Sequence, residues 1–484
     1  MTERQKIHAH IDAHIDAHVE KIREFVRQPS VSLERQGLPE CARWTADALR
    51  AIGCADATVL DVGDDYPGVF GTLDYGRPKT MLVYGHYDVR PVGQEHWTHD
   101  PFSGELTAFG GFPQVVMGRG SAAKGPLQGF LNAVASTRTV TGTLPVNLVF
   151  LIEGAEILGS PNYAKLVDAR RDAVAKSTAL YGPRASQDGG GAVAVTLGYK
   201  GLIFLEMTAS GASWGRGPQG VPVHSATNAI VDNPAWRLVR ALASMTDATG
   251  TKIAVPGILE AVQPGKPIAA WEQPFVDALV AKAQAGDPNG FVPGLNPGAK
   301  VPRFREDLSG RDLILRYMYG PSMNISGLRS GYTGPGTKSF LLPDRATVTM
   351  DLRLVTETKA TEILAILRRH LDDHGFADVE IDAKCAYDWN QTAIDADLIR
   401  AALGLIDAAG LPRSVWPIQA FGGPWAHFAK TFGIPSVQGA APGHGARVAT
   451  SDEFFVIEGK GPIAGLATLE KHFADFLTAY AEAR

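Results

Sequence analysis

The feature that most constrains the fold of this 484-residue chain is a recurring short apolar run that ends in small or polar residues. "TMLVYGHYDV", "PVNLVFLIEGAE", "TALYGP" and, much later, "IPSVQGAA" each read as a strand buried on both faces. Helical stretches such as "QGFLNAVASTR" separate several of them. Buried strands alternating with helices imply an α/β layer around a mostly parallel sheet. In such sheets a ligand crevice opens beyond the carboxyl ends of the strands. His86, Asp88 and Glu156 all fall at such ends.

A chain of this length exceeds what one compact core holds, so two domains are expected. The rhythm changes at Gly201. "LIFLEMTAS", "ATVTMDLRLV" and "DVEIDAKC" read as strands, with helices over "NPAWRLVRALASM" and "KATEILAILRRHLDDHG". That order predicts an inserted α+β, ferredoxin-like domain over 201–388, between the two parts of an α/β domain at 1–200 and 389–484. Residues 250–335 are rich in Pro and Gly and read as a long decorated excursion. At the start of the chain, Ile7, Ile11, Ile15, Val19 and Ile22 form one apolar stripe, predicting a single helix that stops near Pro29. His10, His14 and His18 flank the stripe. With no acidic or cysteine partner at ligand spacing, they read as a helix face rather than a metal site.

Net charge is −5, from 46 basic and 51 acidic residues spread without long runs, which argues against nucleic acid as a partner. Cys41, Cys54 and Cys385 are too scattered for a disulfide framework or zinc knuckle and fit a reducing cytoplasm. No apolar stretch approaches the ~18 residues needed to span a bilayer. The first residues lack the charged, apolar, small order of a secretory leader. A cytoplasmic protein acting on a small molecule, away from membranes, is the expectation.

Side chains at i and i+2 of a strand share a face. His86 and Asp88 can therefore both reach the crevice, the carboxylate orienting the imidazole. "VMGRGSAAKGPLQG" is a Gly-rich turn opening a helix, whose free N–H groups suit an anion. "LIEGAEILGSPN" delivers Glu156 just past a buried strand, where a low dielectric favours base duty.

In this order the segments resemble the two-zinc metallopeptidase family that includes carnosinase, aminoacylase and succinyl-diaminopimelate desuccinylase. "GHYDVRPV" is similar to its His-x-Asp-x-x-Pro strand end, "GRGSAAKGP" to its Gly-Arg-Gly-Ser-x-Asp-Asp-Lys-Gly turn, and "EGAEILGSPN" to its Glu-Gly-x-Glu-Glu-x-Gly-Ser turn. "SGYTGPGTKSFLLPDRATVTMDLRLV" corresponds to the hairpin and strand closing the lid domain, and "PVHSAT" to the lid's Asp-x-His-Ser-Gly segment. The resemblance implies that the inserted domain is a lid and dimerisation domain, that the chain forms a homodimer through it, that Glu156 is the general base, and that His224 assists an oxyanion.

The departures change the expected chemistry. The family holds two zinc ions with two histidines, a bridging aspartate and two further carboxylates. His86 matches the first histidine. The turn of the bridging aspartate reads Ser121-Ala122-Ala123-Lys124, and the remaining ligand positions fall on Ile157, Tyr181 and Ala449. One imidazole cannot neutralise two divalent cations, so no metal and no other cofactor is expected. The substrate-contacting Gly-Gly-Ser segment reads Gly422-Gly423-Pro424, and the Arg that clamps a substrate carboxylate falls on Gly320, so a plain dipeptide is not the expected substrate.

The expected function is metal-independent hydrolysis of an amide- or amidine-type C–N bond, with Glu156 as base and His86, oriented by Asp88, as acid. His224 either holds the oxyanion or caps a lid turn. Ser121 and Lys124 bind substrate, act as nucleophile and activator, or, in the plainer reading, open a helix. Tyr181 is a phenol donor or a space-filling ring. His427 and His444 are loop histidines available as ligand or acid. The rival readings are a metal-free isomerase, lyase or condensing enzyme, a non-catalytic binding protein, and a single-metal site rebuilt from Asp188, His427, His444 and Asp452.

Overall fold

A computed structural model of the chain describes residues 1–483 except 64, 94–95, 287–290, 296–300, 335–339 and 449. Its largest sheet has eight strands, in the order 58–60, 68–73, 147–153, 80–86, 179–182, 436–439, 193–196, 413–416. The strand Thr80–His86 runs parallel to both Asn147–Glu153 and Ala179–Gly182, which in turn runs parallel to Ser436–Gly439. The antiparallel pairings lie toward the edges and between 436–439 and 193–196. The central strands are buried on both faces, as their unbroken apolar runs require. The helices Ser121–Thr141, Asp397–Ala408 and Leu466–Glu482 contribute to the core on one side. Tyr163, Trp425 and Phe428 fill the other.

A second, four-stranded antiparallel sheet has the order 322–330, 345–354, 201–210, 380–387. Its central pair stays in register from Gly201 opposite Leu354 to Ser210 opposite Arg345. The period-2 pattern turns Ile203, Leu205, Met207 and Ala209 into a core shared with Leu238 and Ala241 of helix Pro234–Ser244 and Ile363, Leu367 and Leu371 of helix Ala360–Asp373. The edge strand Ser322–Ser330 is largely exposed.

Two expectations need correction. The N-terminal stripe is buried at Ile7, Ile11, Val19 and Ile22 and half-buried at Ile15, but it lies on two helices, Glu3–Ala13 and Ile15–Val26. They part at His14 (φ −117°, ψ 11°), whose Nδ1 lies 2.8 Å from the His10 carbonyl oxygen, a local side-chain contact that competes with helix continuation. The excursion at 250–335 is structured over much of its length. It contains the helices Pro256–Val262, Gln273–Ala285 and Gly310–Tyr319 and the edge strand of the second sheet. The latter two helices share a core with Trp416 of the main sheet, so Pro and Gly here punctuate short helices. Residues 335–339 of the predicted hairpin lie outside the described residues.

Candidate active site

His86 closes its strand directly opposite Glu153. Two residues on, the buried Asp88 carboxylate receives three groups. Its Oδ1 lies 3.3 Å from Nδ1 of His86 and accepts the Glu156 backbone N–H at 3.1 Å, and its Oδ2 accepts that of Ile157 at 3.0 Å. These bonds fix the short 3-10 turn Glu156–Leu158 against the strand end. The turn needs a glycine before it: a Cβ at Gly154 would sit 2.2 Å from Oη of Tyr87. Glu156 thereby points Oε2 to within 3.9 Å of Nε2 of His86, with its side chain 26 % exposed. Burial opposes charge on His86, but Glu156 and Asp88 outweigh it, and the imidazole titrates above its ordinary value despite a nearby Arg184. The result is a protonatable histidine facing a solvent-reachable carboxylate.

Sequence reasoning passed over the carboxyl beneath this pair. Glu153 is buried, with Oε1 accepting from Tyr84 Oη at 2.6 Å and Ser160 Oγ at 2.7 Å. Burial pushes it up to about 8, reinforced by Asp88 and Glu156 and opposed by the two hydroxyls. Ser160 holds a left-handed backbone (φ 56°), uncommon outside glycine, while its hydroxyl makes that bond. An acidic residue inside an apolar strand, at the end of "LVFLIE", was the available signal.

Arg184 was also passed over. It lies just past the strand Ala179–Gly182 and lines a small pocket with His86, Ala123, Leu127, Gly182 and Pro183.

The Gly-rich turn does not present free N–H groups to a ligand. Gly118 donates its backbone N–H to the Glu453 carbonyl at 2.9 Å, and Ala122 donates to Oε1 of Glu453 at 3.2 Å. The chain's own carboxylate thus occupies the helix N-terminus, paired at 3.3 Å with Arg119, which is 1 % exposed. Lys124 is buried and spends its ammonium on the carbonyls of Phe25 (3.3 Å) and Gln28 (2.7 Å), closing the end of the second helix. Ser121 is buried, its Oγ without a partner among the described residues. Tyr181 is packed against Phe130, Phe473 and Phe476, with its hydroxyl donating to the Gly439 carbonyl at 3.0 Å. It is a space-filling ring. His224 is exposed on the second domain, stacked near Phe340, its Nδ1 accepting from the Ala226 N–H at 3.1 Å. Within this chain it caps a turn.

His427 sits in helix Trp425–Phe432, where burial lowers it from its ordinary value and Asp168 and Arg171 are its charged neighbours. His444 has Nδ1 2.8 Å from the Gln187 carbonyl oxygen. Asp188 pairs with Lys282 at 2.6 Å, and Asp452 accepts from Thr98. These four do not converge. Among the described residues no three His, Cys, Asp or Glu side chains are placed to hold one metal ion. Ala449 lies outside the described residues.

The chain is similar to known proteins in fold and over part of its sequence. Residues 210–379 match a peptidase dimerisation domain. In architecture the chain is similar to an M20-family metallo-carboxypeptidase from Sulfolobus solfataricus, with a TM-score of 0.79 at 24% identity, covering 96% of this chain and 99% of that one. Human Beta-Ala-His dipeptidase is 27% identical over 397 residues, 76% of this chain and 71% of the relative. The Cys-Gly metallodipeptidase DUG1 of Candida albicans is 25% identical over 377 residues, 72% of this chain and 71% of the relative. The chain thus shares the architecture of M20-family structures, is similar in sequence to dipeptidases, and carries a segment that matches a peptidase dimerisation domain.

Proposed function

We propose that the protein hydrolyses an amide-type C–N bond of a small, peptide-like molecule without a metal cluster. The amide bond follows from the dipeptidases to which it is related. The metal-free assignment rests on the donor set. At the positions where the resemblance places ligands stand His86, Ala122 and Ala123, Ile157 and Tyr181. Only the imidazole is a donor free to reach an ion, since the Tyr181 phenol is buried and spent on Gly439. Such a set does not fit two divalent cations.

In this reading Glu156 takes a proton from water as it attacks the carbonyl carbon. His86, protonated and oriented by Asp88, delivers a proton to the leaving nitrogen. The carrying observation is the 3.9 Å approach of Nε2 of His86 to Oε2 of Glu156, both positioned by one buried aspartate. Residues 1–200 and 389–484 form the catalytic unit and 201–388 the lid, through which the chain forms a homodimer. Three buried, free cysteines suit a reducing cytoplasm.

The test joins elemental analysis to turnover on a panel of dipeptides and N-acyl amino acids. Turnover that survives chelator, with well below one zinc per chain, and that falls ~10²–10⁴-fold in Glu156→Gln is expected. Two zinc per chain with activity lost to chelator would refute the metal-free assignment.

A further inference from the structure

The pocket beside His86 contains a cation with no carboxylate of its own. Arg184 is half-buried there, and its Nε donates to Oε1 of Gln438 at 3.1 Å. Among the described residues no acidic side chain is paired with its guanidinium, although the pocket lies at the strand ends that carry Asp88 and Glu156. Gln438 belongs to the adjacent parallel strand, opposite Gly182. Its side chain lies over that glycine, where a Cβ would come within 2.8 Å of its Cγ. Gln438 is 6 % exposed, and its Nε2 has no partner among the described residues. A buried amide donor left unmet is costly and rare. The guanidinium and this amide are joined by one hydrogen bond, so an unneutralised cation and an unmet donor stand together behind the Gly182 wall.

We propose that Arg184, held in place by Gln438, docks a carboxylate of the substrate beside His86. This rests on the hydrolase reading for the bond that is cleaved and adds the charge that the substrate carries. A planar guanidinium offers paired N–H groups that match a carboxylate, and such charge-assisted bonds are the strong ones. The pocket's other walls, Ala123, Leu127 and Pro183, are apolar and strengthen a buried ion contact by excluding water.

Calorimetric titration of the full chain with N-acetylglycine and with its uncharged amide tests the site. The acid is expected to bind the wild type at least about tenfold more tightly than the amide. Arg184→Met should abolish that preference. Arg184→Lys should keep part of it, because a point charge replaces the fork. Gln438→Leu should weaken the acid alone, with thermal denaturation confirming that each variant folds. Equal affinity for acid and amide, no binding of the acid, or an undiminished preference in Arg184→Met would overturn the proposal. In Glu156→Gln the acid preference should persist whether or not turnover survives, so failure of the base assignment and failure of the carboxylate site give different results.

Discussion

The carboxylate of Asp88 accepts the backbone N–H of Glu156 at 3.1 Å through the same oxygen that faces Nδ1 of His86 at 3.3 Å. One buried acid therefore sets the height of the glutamate turn and the orientation of the imidazole together. Ligand-orienting and base-orienting contacts of this kind transmit small displacements directly to reactivity.

Replacing that acid tests the relationship. Asp88→Asn puts an amide NH₂ against either the Ile157 or the Glu156 backbone N–H, both of which need an acceptor. The variant should lose ~1–3 kcal/mol of stability, the cost of a buried donor left unmet. Losing the Asp88 charge should also lower the His86 titration point, since Asp88 is among the groups that raise it. Urea denaturation and histidine NMR titration read the two effects, and an unmoved His86 resonance would show that Asp88 does not act on the imidazole.

Glu153 gives the fold a pH dependence of known sign. Its carboxyl titrates at about 8 in the folded protein against an ordinary 4.5. Between those values the folded protein keeps a proton that the unfolded chain has released, so stability falls as pH rises through that window. Glu153→Gln removes this slope while its amide oxygen still accepts from Tyr84 and Ser160. From pH 5 to pH 8 the variant should therefore lose less stability than the wild type, by up to ~1.4 kcal/mol per pH unit. Parallel stability curves for the two proteins would count against a retained proton.

The ion pair at the start of the helix Ser121–Thr141 is a structural element. Glu453 is buried against Arg119 and the Ala122 N–H, so removing it takes a buried carboxylate partner from the guanidinium and the acceptor from the helix N–H. Glu453→Ala should cost ~3–5 kcal/mol. The pocket-facing Ala123→Ser should leave stability within about 1 kcal/mol of the wild type. Thermal and chemical denaturation distinguish the pair, and equal stability of both variants would remove the structural role.

The proposed homodimer draws on the second domain, where residues 210–379 match a peptidase dimerisation domain. Ile325 and Leu328 on the edge strand are 48 % and 56 % exposed, and an unpaired edge with apolar side chains is a pairing template. Ile325→Lys combined with Leu328→Lys should convert the dimer to a monomer in sedimentation experiments at micromolar concentration. A persistent dimer would move the interface to another face of the domain.

The main-sheet strands and the strand and helix order of the second domain were legible because they are written in local periodicity. Continuous apolar runs mark the former, and alternation in "LIFLEMTAS" and "ATVTMDLRLV" marks the latter. His86, Asp88 and Glu156 were legible for the same reason: each lies at or just past the end of a strand whose course was already clear. The two-helix N-terminus was not, since the apolar stripe runs past His14 without a break.

By itself, the sequence determined the layered α/β architecture, the inserted domain and the strand ends at which His86, Asp88 and Glu156 meet, because spacing along the chain dictates which face a side chain takes. Only the tertiary structure decided what each remaining polar group does. Ala122 meets a carboxylate 331 residues away, Arg184 an amide 254 residues away, and Lys124 a helix end 96 residues away. Burial leaves every such group in need of a partner, but the chain's periodicity carries no record of which distant segment supplies it.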